Sequence, residues 1–459
     1  MKLDDYLAGK PYTLTEEQYD YCHDVIYGNS HVGNFSVAGS GKSLCLEIIK
    51  DVLGDTCVVC ATTGIANSIL FDNRGGQGTA HKVFSIPTEI HNSYHEKKVG
   101  KETNMLFASS DLVRVVIVEE AGMLTPDQLE LILKRKKRYD RPYGSKRKKR
   151  DIKIVLQGDY LQLGSVYTKD EEIQYMRDNY GSEYLFDSEP FKSLNLNVHI
   201  FTKVLRTSDK VFQAALEVVR YGEEHRYEGV LKWLNKRFKT PPKNALMIAT
   251  TNKEVDKANQ RAMMLNSNPE VKLTAEVSGD FDIKSCAADQ VISLKVGCPV
   301  ISLMNDSEEG NYFNGSFGHI ESIYVGEGVV IKFEHSGESH MIPYFEYEDK
   351  EYYTDTDAET GEDFMASRVV GTCKQCPVKL AACYSVFRMQ GKTVDSPVVI
   401  DLGWGFPSGQ DNSWGMAQAY VALSRVRSID NLYLKTRLTE KHLKVNERAV
   451  EWVLSNMKG

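Results

Sequence analysis

Apolar positions along this chain follow two rhythms. Short continuous runs at 35–37, 58–61, 113–118 and 152–156 have the length and composition of buried strands. Between them lie stretches with apolar residues three and four apart. One such stretch, 44–53, follows a glycine-rich loop and stops at Gly54; another, within 1–30, has Thr15 as its predicted N-cap with Gln18 three residues on. Strand alternating with helix predicts an α/β fold: a parallel sheet with helices on its faces. Runs at 246–249 and 398–400 predict a second, less continuous unit of the same kind. From about 283 to 375 the rhythm changes to alternating strands with glycine turns, as at 297–301 and 328–333, and no helix is expected. This predicts a small β-barrel inserted into the second unit, ending in an acidic loop at 346–363.

Composition narrows the classes. The 459 residues suggest roughly three units of about 150 residues. A net charge of −7 means that any nucleic-acid surface is a local patch rather than the whole molecule. No apolar run approaches the roughly 18 residues of a membrane span, and the first residues lack a signal-peptide core, so a cytoplasmic or nuclear protein with no membrane association is expected. Nine cysteines include two CxxC pairs. Cys57 and Cys60 fall on a strand, where residues three apart face opposite ways; Cys373 and Cys376 fall in a loop-like stretch with no second pair nearby. Reduced thiols are expected rather than zinc. Residues 134–150 carry eleven Lys or Arg, which fits a phosphate clamp, a solvated loop or a nuclear address.

Four clusters carry chemistry. Gly39-Ser40-Gly41-Lys42-Ser43, between a strand and a helix, has the form of a phosphate-binding loop. Glycines let backbone N–H groups approach phosphates, Lys42 reaches the β and γ phosphates of ATP, and the Ser43 hydroxyl ligates Mg²⁺. The first glycine of the usual pattern is Ser36 here. An apolar strand ends in Glu119-Glu120, the arrangement in which one carboxylate serves the metal and the next serves the attacking water; Glu119 is the metal candidate and Glu120 the general base. The usual first residue is Asp, one methylene shorter. At another strand end, Gln162 in 158–163 is placed to sense the γ-phosphate or the water. Near the C-terminus, Arg425 in 418–427 is a candidate finger for the γ-phosphate, the bland alternative being a solvated helix face.

The order of these motifs, with Ala61-Thr62-Thr63-Gly64-Ile65-Ala66, Leu205-Arg206 and Gln390-Gly391-Lys392-Thr393, resembles superfamily-1B helicases of the Pif, RecD and Dda types over residues 14–434. The resemblance implies two RecA-like parallel-sheet domains, 1–200 and 201–282 with 376–459. It also implies a small wedge or hairpin insertion about 80–110 and an SH3-like β-barrel at 283–375. It implies that Gln18 contacts adenine and that Arg206 and Arg425 approach the γ-phosphate. Thr63, Gly64 and His81 would touch single-stranded DNA in the first domain, Asn252 and Gln390 in the second. Phe387 stands where kin have His and is expected to stack on a base. The implied activity is an ATP-dependent DNA helicase moving 5′ to 3′ on single-stranded and forked DNA, as a monomer, with a replication or single-strand-binding protein as the partner class. An RNA-directed helicase and a nucleotide-gated remodeller with weak hydrolysis remain as alternatives; a small-molecule kinase shares only the phosphate loop.

Overall fold

The computed structural model describes residues 2–457, apart from 63–77, 88–89, 92, 109–112, 141–150, 166, 168, 243–244, 282, 284–285, 287, 305, 307–310, 313–314, 335, 357–362, 392, 395 and 404–415. The chain divides into two compact units, one of residues 1–250 with 385–459 and one of 251–384.

The first unit is built on a five-stranded sheet. In chain order its strands are β1 (Val32–Asn34), β2 (Cys57–Ala61), β3 (Val115–Glu119), β4 (Lys153–Gln157) and β5 (Asn197–His199). They lie in the order β2-β3-β4-β1-β5, every pairing parallel. Continuous apolar strands give two buried faces, because successive side chains point to opposite sides. Val58, Cys60, Val116, Val118, Ile154 and Leu156 enter one core. Cys57, Val59, Val115, Ile117 and Val155 enter the other. Cys57 and Cys60 are thus on opposite faces, and all nine cysteines are free thiols. The helix Glu16–Tyr27 begins at Thr15 with the full capping box: Gln18 N donates to Thr15 Oγ1 and Thr15 N donates to Gln18 Oε1.

The described residues of 80–108 form short helices, Ala80–Phe84, Ser93–Lys97 and Lys101–Ala108. They dock on the helix Pro126–Asp140 through stacked Phe84, Phe107 and Tyr139. Arg135, from the basic stretch, is buried here and donates to the carbonyls of Phe84, His95, Glu96 and Lys98. Lys134 pairs with Glu96 and Glu130, and Lys136 with Asp140 and Asp151. The start of the basic stretch is therefore structural; residues 141–150 lie outside the described residues.

A second set of parallel strands, Leu246–Ala249, Val398–Asp401 and Leu432–Leu434, lies in the same unit. The two parallel sheets make the two RecA-like domains. The final helix, Glu447–Asn456, comes from the stretch that sequence analysis assigns to the second domain, yet it packs on the first core. Its apolar face places Trp452 among Phe35, Tyr160, Phe186 and Phe191.

The unit 251–384 opens with the helix Asn252–Leu265 and is otherwise antiparallel. Five strands run in the order Ser339–Pro343, Gly328–Phe333, Phe317–Tyr324, Pro299–Ser302, Val378–Leu380. Leu273, Leu294, Val300, Val329, Ile331 and Phe333 fill its core. The expected acidic loop is a correction: Phe345–Thr356 is a strand paired with Asp363–Gln375. Its acidic residues alternate with Tyr and Phe at 345–348, the period of a strand with one wet face. Cys373 is likewise in a strand rather than a loop.

Candidate functional site

The phosphate loop leaves β1 and enters the helix Lys42–Leu53. Gly39 (φ 78°) and Gly41 (φ 93°) both take left-handed conformations that other residues rarely adopt. They also lack room: a Cβ on Gly39 would meet Arg206, and one on Gly41 would meet Gln18. Ser36 is fully buried, donates to Asn34 Oδ1 and accepts from Phe201 N at 2.7 Å. Where the usual pattern has glycine, this hydroxyl ties the loop's entry to the strand and to the chain beyond β5. Ser40, buried, donates through its hydroxyl to Val37 O. Lys42 Nζ donates to Ser36 O at 2.7 Å and Val37 O at 3.0 Å, so the loop curls around its own ammonium. Burial lowers the Lys42 pKa, against the pull of Asp159, Glu120 and Glu119. Gln18 donates to Ser40 O at 2.8 Å; its amide braces the loop. Ser43 is exposed in the first turn of the helix.

The carboxylates face this lysine. Glu119 ends β3 almost fully buried and accepts from Gln157 Nε2. Tyr21 donates to Gln157 Oε1 at 2.6 Å, which orients that amide with its nitrogen toward Glu119. Burial, and then the adjacent Glu120, push the Glu119 pKa up to about 8, against the pull of Lys42. Glu120 sits at φ 53°, a left-handed conformation that costs on the order of 1 kcal/mol for a non-glycine residue. Thr62 donates through its hydroxyl to Glu120 O at 3.0 Å and holds that turn. Burial raises the Glu120 pKa, opposed by Lys42 and Arg425. Ser43 and Glu119 offer hard oxygen donors of the kind Mg²⁺ takes.

Asp159 anchors the third cluster. It pairs with Arg220 at 2.8 Å and accepts from Gln162 Nε2 at 3.2 Å and Tyr420 OH at 3.3 Å. Burial alone would raise its pKa, but Arg220 and Lys42 outweigh burial and hold it low. Gln162 is thereby fixed by its nitrogen, while its buried Oε1 has no partner among the described residues. Tyr420 OH also accepts from Ala38 N at 3.3 Å and so bridges the phosphate loop to Asp159. Arg206 donates to Ser424 O at 2.6 Å beside Gly39. Arg425 is 1% exposed and donates to Val421 O, Met389 O and Ser424 Oγ. Burial and the nearby Arg206 lower its pKa to about 9, so it stays charged at neutral pH.

Gln18, Gly39, Ser40, Gly41, Lys42, Ser43, Glu119, Glu120, Gln162, Arg206 and Arg425 thus gather at one cleft of the first unit. Gln390 joins them: its Nε2 donates to Glu120 Oε2 at 3.3 Å. Phe387, half-buried, sits on the same turn. His81 donates from Nδ1 to Ile86 O at 3.1 Å, just past the end of its own short helix, the carbonyl being able only to accept. Asn252 starts the first helix of the other unit. Thr63 and Gly64 lie outside the described residues. Sequence reasoning did not single out Asp159, Arg220 or Gln157. A lone arginine beside the apolar stripe Phe212, Ala215, Val218 and Val219 was the available sign that Arg220 has a buried partner.

A parallel sheet carrying this loop, paired carboxylates at the end of β3 and Arg206 and Arg425 at the same cleft define a RecA-like P-loop nucleotide-binding protein. Residues 13–225 match the family described as PIF1-like helicase. The chain is 26% identical over 439 residues to the human ATP-dependent DNA helicase PIF1, covering 91% of this chain and 60% of that protein. It is 27% identical over 384 residues to ATP-dependent DNA helicase RRM3 of Saccharomyces cerevisiae, covering 79% of this chain and 48% of that one. The chain therefore spans about half the length of these relatives. A crystal structure of Bacteroides Pif1 bound to single-stranded DNA matches with a TM-score of 0.78 at 25% identity, over 97% of each chain. The family match covers 213 of the chain's 459 residues, just under half. No described helix is long and apolar enough to cross a membrane.

Proposed function

We propose that this chain is an ATP-hydrolysing DNA helicase that moves 5′ to 3′ along single-stranded DNA and opens forked duplexes. The observation that carries the reading is the convergence of Lys42, Glu120, Gln162 and Arg425 on one cleft fed by two parallel sheets. The human and yeast relatives are named ATP-dependent DNA helicases, and solved Pif1 structures hold single-stranded DNA, forked DNA and ADP-AlF3.

In this reading each residue has a stated task. Lys42 exchanges its bonds to Ser36 O and Val37 O for phosphate oxygens. Ser43 and Glu119 would hold Mg²⁺, which supplies charge neutralisation at the phosphates when bound. Glu120 takes the proton of the attacking water. Gln162, fixed at its nitrogen by Asp159, offers its free oxygen to that water. Arg206 and Arg425 meet the charge that builds on the γ-phosphate. Gln18 braces the loop and reaches the adenine. The strand is assigned to Thr63, Gly64, His81, Asn252, Phe387 and Gln390. Helices of 80–108 are the wedge candidate, and 283–375 the SH3-like insertion.

The test is steady-state ATP hydrolysis with no strand, with single-stranded DNA and with single-stranded RNA, beside Glu120→Gln. DNA stimulation that disappears in Glu120→Gln is the expected result. Stimulation by RNA alone moves the substrate. Tight nucleotide and strand binding with no hydrolysis makes the chain a gated binder.

A further inference from the structure

The 3₁₀ turn Phe387–Met389 ends in Gln390 and is followed by Gly391 at φ 76°. Two bonds run from it into the nucleotide cleft. Met389 O accepts from Arg425 at 3.2 Å, and Gln390 Nε2 donates to Glu120 Oε2 at 3.3 Å. The proposed finger and the proposed general base are therefore tethered to one turn, 270 residues along the chain from Glu120. The amide has only one sensible orientation, since its oxygen would repel a carboxylate. Gln390 is 7% exposed, and among the described residues its Oε1 has no partner and Glu120 is the one side chain its amide bonds. A carboxylate oxygen that accepts an amide N–H is engaged geometrically and is a weaker base toward water.

We propose that Gln390 is a positioning residue that restrains Glu120 while no strand is bound, and that a strand seated on the Phe387–Met389 turn draws Gln390 away and releases the base. The inference rests on the helicase reading above. It makes strand stimulation of hydrolysis a local event: one hydrogen bond is broken at the turn that also holds Arg425. Phe387 and Arg388 lie beside Gln390 on this turn, so a base or phosphate held there pulls directly on the tether.

The test is ATP hydrolysis by the full chain with Mg²⁺, without strand and with saturating oligo-dT, for the wild type, Gln390→Met, Gln390→Asn and Glu120→Gln. Methionine keeps the length and volume but cannot donate. Gln390→Met is expected to raise the strand-free kcat about 10-fold, the worth of one hydrogen bond to a charged group. KM for ATP and the strand-saturated kcat should stay within about twofold, so the stimulation ratio collapses. Gln390→Asn, one methylene short, should fall between, and Glu120→Gln should be silent throughout. Misfolding lowers rates, so a raised strand-free rate is not a structural artefact. An unchanged strand-free rate with weaker oligo-dT binding would make Gln390 a strand contact only and overturn the restraint. A fall in both rates would overturn it too. A wild type that hydrolyses ATP without strand stimulation sinks the helicase reading along with it, whereas a stimulated wild type with no gain in Gln390→Met sinks the restraint alone.

Discussion

Single side chains in this protein tie pH and packing to the site above them. Ile154 N donates to His31 Nδ1 at 3.0 Å, so that nitrogen must be unprotonated in the folded state. Burial, then the charge of Lys136, lower the His31 pKa. Below the ordinary value near 6.5 the unfolded chain takes up more protons than the folded one, so stability present at higher pH is lost as pH falls. The unfolding temperature is expected to drop between about pH 7.5 and 5.5, and to drop less steeply in His31→Gln, whose oxygen accepts from Ile154 N without titrating. Parallel curves for the two proteins would clear His31 of the effect. Arg135 makes the second case. Its guanidinium is 1% exposed and serves four carbonyls. Arg135→Ala should cost about 3 kcal/mol in urea unfolding, because it orphans buried acceptors. Strand affinity per folded molecule should hold. A loss of affinity with unchanged stability would return Arg135 to the phosphate-clamp reading of the basic stretch.

At the scale of elements, the helix Glu447–Asn456 supports the phosphate loop from beneath. Trp452 meets Phe35 at 5.4 Å and Tyr160 at 5.2 Å; Phe35 begins the turn toward the loop, and Tyr160 follows Asp159. Trp452→Ala is expected to destabilise the first core by about 3 kcal/mol, measured by chemical denaturation, and to weaken nucleotide binding by loosening both neighbours. Normal stability would mean that the helix is a passive cover. This helix also marks the limit of what the sequence reveals. The phosphate loop was legible because its chemistry sits within five consecutive residues, and β2, β3 and β4 because they are apolar runs; β1, Val32–Asn34, ends just before the expected run at 35–37, and β5, Asn197–His199, has no apolar run to announce it. The partner of a lone amphipathic helix is not written in its own periodicity, so Trp452 gave no hint of Phe35. Gln390 is the same case across 270 residues: a short polar segment reads as a surface contact until the fold brings it to Glu120. The strand Phe345–Thr356 was missed for a different reason, its density of acidic residues outweighing the Tyr and Phe that alternate with them.

Across the whole nucleotide-binding unit, the two parallel sheets meet at buried charge. Asp159 leaves β4 of the first sheet; Arg220 comes from the helix Lys210–Tyr221 and Tyr420 from the helix that precedes Leu432–Leu434 of the second. Burying these ions is costly, and the cost is recovered only while the pair and its hydrogen bonds are intact. Arg220→Met alone leaves a buried carboxylate without its cation and should cost about 3–5 kcal/mol in denaturant unfolding. Asp159→Asn alone strands the guanidinium and should cost a similar amount. The double variant removes both charges and should be more stable than the sum of the two single losses predicts, by about 2 kcal/mol or more. Additive losses would mean that the two residues act separately and that the sheets are joined elsewhere. Hydrolysis separates stability from function in the same set. If Asp159 serves only as a fastener, the double variant regains activity along with stability. If Asp159 also orients Gln162, the double variant is stable yet slow, because asparagine holds the Gln162 nitrogen with a neutral oxygen in place of a carboxylate.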